Sequence, residues 1–258
     1  MDEVIKLAND LGQQELKRLN KAFAQSKAPD AVMRLVDRWH EEIDGYMNQN
    51  SRQHQIKLAC HAGCSTCCTG LRVSVTAPEA LRIKQHLETT LPPSNLQELT
   101  QKIHATASRS RGISTQEFAV ARITCPFLKE GSCSIYAVRP STCRRYHSVE
   151  LDPCLRRAAM PETRAFGAVT IRGLNLGVTA LMRSFFQALK KQRLDNNPYE
   201  LSSAVADALD NPDAYMQWRQ GKKIFGEPVR REKEASSETA TVANAASAVL
   251  NLDDALDF

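Results

Sequence analysis

Eight cysteines fall in two groups: Cys60-His61-Ala62-Gly63-Cys64-Ser65-Thr66-Cys67-Cys68, and then Cys125, Cys133, Cys143 and Cys154. Four cysteines packed into one short loop do not serve a core, because neighbouring side chains point in different directions. The thiolate is the standard soft ligand for zinc, iron and iron–sulfur clusters. The first group has gaps of three and two residues, and Gly63 lets the chain turn between them. The second has gaps of seven, nine and ten residues, looser than a zinc ribbon with its two clean two-residue gaps. We read Cys125, Cys133 and Cys143 as completing a site opened by the first group, with Cys154 its outlying member. Adjacent cysteines rarely ligate one ion comfortably, so either Cys67 and Cys68 serve two centres or one of them is spare.

Four thiolates on a divalent ion carry a net charge of about −2, which a buried site must compensate. Of the arginines in and beside the second group, Arg139 and Arg144 are the candidates to donate to sulfur or to a bound anion. His61 and His147 lie inside the groups, where a role beside the ligands is favoured over ligation. Tyr136, Arg139 and Tyr146 are the first residues to change if the site is catalytic. Structural disulfides and a lone catalytic thiol are the weaker readings, since no export signal and no single His-paired cysteine stands out.

The elements that must position these residues read as mostly helical. Periodic apolar residues predict helices over 2–24 and 29–48, the second carrying Val32, Leu35, Val36, Trp39, Ile43, Tyr46 and Met47. A polar segment over 48–57 leads into the first cysteine group, and alternation over 71–75 predicts a short strand. Thr76 with Glu79 and Pro78 marks a helix start that runs to about Thr89. Ser94 with Gln97 opens another to about Ser110, and Ser114 with Glu117 a short one ending near Ile123. The segment 125–154 reads as a loop that needs a staple. Beyond it, Val178, Leu181, Met182, Phe185, Phe186 and Leu189 mark an apolar helix face, followed by weaker helices near 199–209 and 212–220.

Composition is that of a globular chain of 258 residues, with no apolar run near membrane-spanning length. The start, Met1-Asp2-Glu3-Val4-Ile5-Lys6, lacks the basic and apolar pattern of a leader, so the expected compartment is the cytoplasm, where thiols stay reduced. The net charge of +5 is uneven: residues 232–258 hold six acids against one lysine. Elsewhere Lys and Arg are interspersed with acids, which argues against nucleic-acid binding. From about 230 onward the sequence reads as a disordered acidic tail. Its last eleven residues mix acids with apolar groups, as a segment that docks on a protein partner would.

Cys60, Cys64 and Cys67 have the spacing that holds the cluster of radical S-adenosylmethionine enzymes. Thr66 stands where the usual aromatic would be, and the strand–helix units of that barrel are missing. That family is rejected; the spacing's capacity for a [4Fe–4S] cluster is retained. The fuller pattern continues as Cys125-Pro126-Phe127-Leu128, Gly131-Ser132-Cys133-Ser134-Ile135-Tyr136 and Arg139-Pro140-Ser141-Thr142-Cys143-Arg144. Over roughly residues 57–155 this resembles the YkgJ-type cysteine-cluster family, described as zinc- or iron-chelating. The resemblance implies metal ligation by Cys60, Cys64, Cys67, Cys68, Cys125, Cys133 and Cys143, with Cys154 beyond its strongest part. One branch resembles a flagellin lysine N-methylase, yet no Gly-rich strand–helix turn for S-adenosylmethionine is present.

The expectation is a mainly α protein with a small irregular, short-strand, cysteine-rich metal-binding module. Its expected map is a helical hairpin over 1–50, the cysteine-cluster domain over 51–160, a helical region packing on it over 161–229, and the tail over 230–258. The expected cofactor is iron, including an Fe–S cluster, with zinc as the alternative. A structural-zinc interaction module and an Fe–S-dependent enzyme are the competing roles.

Overall fold

A computed structural model describes residues 2–25, 30–163 and 165–229. Its elements in chain order begin with α1 (Glu3–Gln25), α2 (Ala31–Gln53), β1 (Ser74–Thr76), α3 (Ala77–Thr90), α4 (Pro93–Ser110) and α5 (Thr115–Val120). The strands β2 (Leu128–Lys129) and β3 (Ser132–Cys133) follow, then α6 (Ser141–Arg145) and α7 (Asp152–Ala159). The described part ends with α8 (Arg172–Lys191), β4 (Pro198–Glu200), α9 (Leu201–Asp210) and α10 (Ala214–Arg219). The protein is therefore mainly helical with short strands, as its pattern predicts. The expected tail lies outside the described residues.

The apolar stripes fix the packing. In α2 the stripe residues Val32, Val36, Trp39 and Ile43 are completely buried, and α2 and α1 both lie against α8. Trp39 stacks on Phe185 with ring centroids 4.1 Å apart, and its indole N–H donates to the Leu181 carbonyl at 3.0 Å. That bond matters because a buried indole without an acceptor carries a desolvation penalty. Ile83, Leu87, Ile103 and Val205 join the same core from α3, α4 and α9.

Three local expectations are corrected. The helix expected over 29–48 runs on to Gln53, into the polar segment, since nothing there breaks it. The strand expected over 71–75 is Ser74–Thr76, set by its antiparallel partner, with Val75 opposite Tyr199. Ser94 does not cap α4: Pro92 occupies the cap position without a side-chain bond, and Pro93 opens the helix. The predicted starts at Thr76 and Ser114 are both full capping boxes.

Tyr46 on α2 leans across Gly177 on α8 and donates its hydroxyl to the Gly173 carbonyl at 3.0 Å. A methyl group at Gly177 would fall inside the Tyr46 ring, whereas one at Gly45, also in α2, meets nothing. Gly177→Ala should lower stability by about 1–3 kcal/mol through overpacking. Gly45→Ala should raise it by about 0.5–1 kcal/mol. Thermal or denaturant melts of the two variants check this; an unchanged midpoint for Gly177→Ala would refute the packing.

Candidate metal centre

The first cysteine group lies in a turn-rich loop. Gly63 has φ of +90°, a backbone conformation that glycine adopts at no steric cost. The Cys64 amide donates to the His61 carbonyl, and Thr66–Cys68 forms one 3-10 turn. Backbone pairing then brings the second group alongside. The Cys125 amide donates to the Cys68 carbonyl at 2.8 Å, and Thr69 bridges Thr124. Cys133 sits opposite Leu128 in the β2–β3 hairpin. Glu130 and Gly131 form its two-residue turn with φ of +50° and +76°, the positive pair that matches strand twist. Cys143 is on α6 and Cys154 on α7, which packs on the 66–68 turn.

All eight cysteines are free and partly buried. Cys60, Cys64, Cys67 and Cys154 line one cavity of about 230 Å³. Cys125, Cys133 and Cys143 lie elsewhere, packed against the hydrophobic core. Cys67 is the neighbour common to both: its thiol interacts with Cys68 and lies within electrostatic range of Cys60, Cys125, Cys133, Cys143 and Cys154. Among the described residues no three His, Cys, Asp or Glu side chains are drawn together tightly enough to hold a single ion as they stand.

Cys60, Cys67, Cys125, Cys133, Cys143 and Cys154 are biased towards the neutral form. Burial pushes Cys125 up to about 12 and Cys143 well above its ordinary value, and neighbouring thiols add to it. Cys67 is raised by its hydrogen bond with Cys68 and by burial. Backbone N–H groups oppose this. The Phe127 amide donates towards the Cys125 sulfur, the Ile135 amide towards Cys133 and the Ser148 amide towards Cys60. At Cys125 and Cys133 the donor is the amide two residues on, so the chain curls each N–H back onto its own sulfur. Such donors favour the thiolate and are of the kind that support metal-bound sulfur. The donor set thus fits a thiophilic metal.

Several predicted residues are placed around this set rather than in it. Arg144 is buried, pairs with Asp44 of α2, and donates to the carbonyls of Ala137 and Arg139. Arg139 also pairs with Asp44, at 3.1 Å, lies over the Tyr136 ring, and favours the Cys133 thiolate by its charge. Tyr146 lines the cavity, and burial beside Cys154 and Cys67 lifts its phenol to about 12. His147 is no ligand. Its Nε2 accepts from the Ile171 amide at 3.0 Å and its Nδ1–H donates to the Arg145 carbonyl at 2.9 Å, so both nitrogens serve the backbone. His61 is exposed, with Nδ1 on the Ala62 carbonyl.

Sequence reasoning missed the second role of Glu79. Beyond capping α3, its Oε1 accepts from the Ser141 amide at 2.6 Å, the first residue of the helix that carries Cys143, and from His40 at 3.0 Å. Thr76 donates to Oε2 from both amide and hydroxyl. A signal existed for His40, which falls on the apolar stripe of α2 between Val36 and Ile43. None existed for Ser141.

Comparison with known proteins agrees with the site. Residues 59–166 match the CxxCxxCC family model, whose description is "Putative zinc- or iron-chelating domain". An 81-residue stretch, 31% of this chain, is 37% identical to a protein of Acinetobacter calcoaceticus named "Putative ferredoxin" and covers 57% of that protein's length. No solved structure matches.

Burial pushes the Glu79 carboxyl up, but His40 and the Ser141 and Thr76 donors outweigh it and hold it below its ordinary 4.5. The stability this gives is fully present above that value and is lost as pH falls through the lower folded-state pKa. Glu79→Gln should cost about 3 kcal/mol at neutral pH by breaking a buried, hydrogen-bonded pair, and should flatten the acid limb of the stability profile. Denaturant melts between neutral and acid pH measure both; a variant with the parent's midpoint throughout would contradict the assignment. The thiol set, its backbone donors and the matched segment agree on metal binding, and residues 59–166 are similar to the CxxCxxCC model of a zinc- or iron-chelating domain.

Proposed function

We propose that this protein holds iron on its cysteines as an iron–sulfur cluster and acts as a redox or cluster-dependent protein. The observation that carries this reading is the cavity: four thiols stand on the wall of one space of about 230 Å³. A single tetrahedral ion draws its thiolates in to about 2.3 Å and has no use for such a volume. A cluster of iron and sulfide has a use for it. The name of the Acinetobacter relative, a ferredoxin, leans the same way.

Bound there, the cluster would supply one-electron chemistry, its potential tuned by hydrogen bonds to sulfur and by solvent exposure. The chain's own contributions are the amide donors at Cys60, Cys125 and Cys133, the positive charge of Arg139, and the apolar packing beneath the second cysteine group. The Tyr146 phenol stays protonated near neutral pH and stands on the cavity wall as a donor.

Protein purified without oxygen should be brown, with a broad band near about 400 nm and iron and sulfide in comparable amounts. Absorption and elemental analysis on one sample test this. A colourless chain with stoichiometric zinc would replace the cluster with a structural zinc site and move the search for function to the flanking helices and the acidic tail.

A further inference from the structure

We propose that the cavity beside Cys60, Cys64, Cys67 and Cys154 is also a binding site for a small organic carboxylate, held by Arg72, Arg122 and Arg157. The three arginines line the same cavity as the four thiols. The binding step concerns these arginines and holds for whichever metal the thiols carry.

Each arginine is aimed by one backbone carbonyl. Arg72 donates from Nη1 to the Ile113 carbonyl, Arg122 from Nη2 to the Ala159 carbonyl and Arg157 from Nη1 to the Thr163 carbonyl, all at 2.7 Å. Arg18, Arg82, Arg111, Arg139 and Arg144 pair with acids, but among the described residues these three do not. A guanidinium carries five N–H donors in a planar fork, so one bond positions the group and leaves most of its donors over. The Arg72 Nε is a buried donor with no acceptor, and a buried donor left unpaired costs its full desolvation. Among the described residues Glu150 is the one acid on the cavity wall, and it is exposed, so positive charge is in excess there.

The backbone at Arg122 points the same way. Beyond α5 the Arg122 amide donates to the Ala119 carbonyl at 3.0 Å and the Ile123 amide to the Phe118 carbonyl at 3.4 Å. This is the turn that commonly closes a helix with a left-handed glycine. Arg122 takes that position with φ of +48°, where a glycine would sit without steric cost. The chain accepts strain at this point and gains a guanidinium on the cavity wall, as strained residues at ligand sites do.

The planar fork of arginine matches a carboxylate two bonds at a time. Much of the remaining wall is apolar, with Leu71, Ala119, Pro161 and Phe166, and suits an apolar body behind the charged end. Cys154 and Arg157 are three residues apart on α7 and share a face. A carboxylate on Arg157 therefore lies beside the thiol wall. That adjacency makes it a ligand or substrate of the metal centre, and this last step alone rests on the metal-binding reading above.

Calorimetric titration of the full chain, purified without oxygen, with benzoate, hexanoate, benzyl alcohol and inorganic phosphate tests the site. At least one of the two carboxylates should bind, and more tightly than the alcohol or phosphate. Arg122→Gly and Arg157→Gln should each weaken that carboxylate by about tenfold or more, the scale of a charge-assisted hydrogen bond. Arg122→Gly should melt no lower than the parent, because glycine relieves the turn. No binding of either carboxylate, equal binding of benzyl alcohol or phosphate, or unchanged affinity in both variants would overturn the proposal. If Arg122→Gly does not fold, Arg157→Gln decides. A colourless chain with zinc that still binds the carboxylate would overturn the iron reading and leave the arginine site standing.

Discussion

Thiols packed beside thiols in a half-buried site resist ionisation until a cation arrives among them. Burial alone holds Cys125 and Cys143 far into the neutral form, and each further thiolate would raise the next. A metal reverses that balance, because it supplies the positive charge and displaces the protons. The amides of Phe127, Ile135 and Ser148, aimed at sulfur, become fully useful when the sulfur is charged. The central segment is thus arranged around a charge that the metal brings.

That segment has little core of its own, so the helical scaffold has to hold it in place. Helix α2 does so from two residues four apart on one face, His40 and Asp44. His40 binds Glu79, which anchors the first residue of α6; Asp44 binds Arg139 and Arg144 on either side of Cys143. The pairing of β1 with β4 adds a third tie, since Thr142 donates to the Ser74 carbonyl within that ladder. A change in α2 or α3 is therefore felt at Cys143 without touching sulfur. Trp39, stacked on Phe185, in turn fixes α2 against α8.

What was legible in the sequence followed the range of the interaction responsible. The capping boxes at Thr76 and Ser114 were readable because donor and acceptor are three residues apart. The stripe of α2 was readable because its period is local. The strand near Val75 was only half readable, since its ends depend on Pro198 and Glu200, more than a hundred residues away. The cysteine motifs announced metal chemistry through spacing alone. Their grouping in space was not announced: Cys154 looked peripheral by sequence distance, yet α7 returns it to the cavity beside Cys64. Arg144 looked like a donor for sulfur or an anion, and its guanidinium turns out to be committed to Asp44 and two carbonyls.

X-ray absorption at the edge of the bound metal, on protein purified without oxygen, tests the central claim most directly, because it counts and types the ligands whichever metal is present. Thiolate ligation predicts a nearest shell of sulfur at about 2.3 Å. A nearest shell of nitrogen or oxygen at about 2.0–2.2 Å, with no sulfur, would contradict the account.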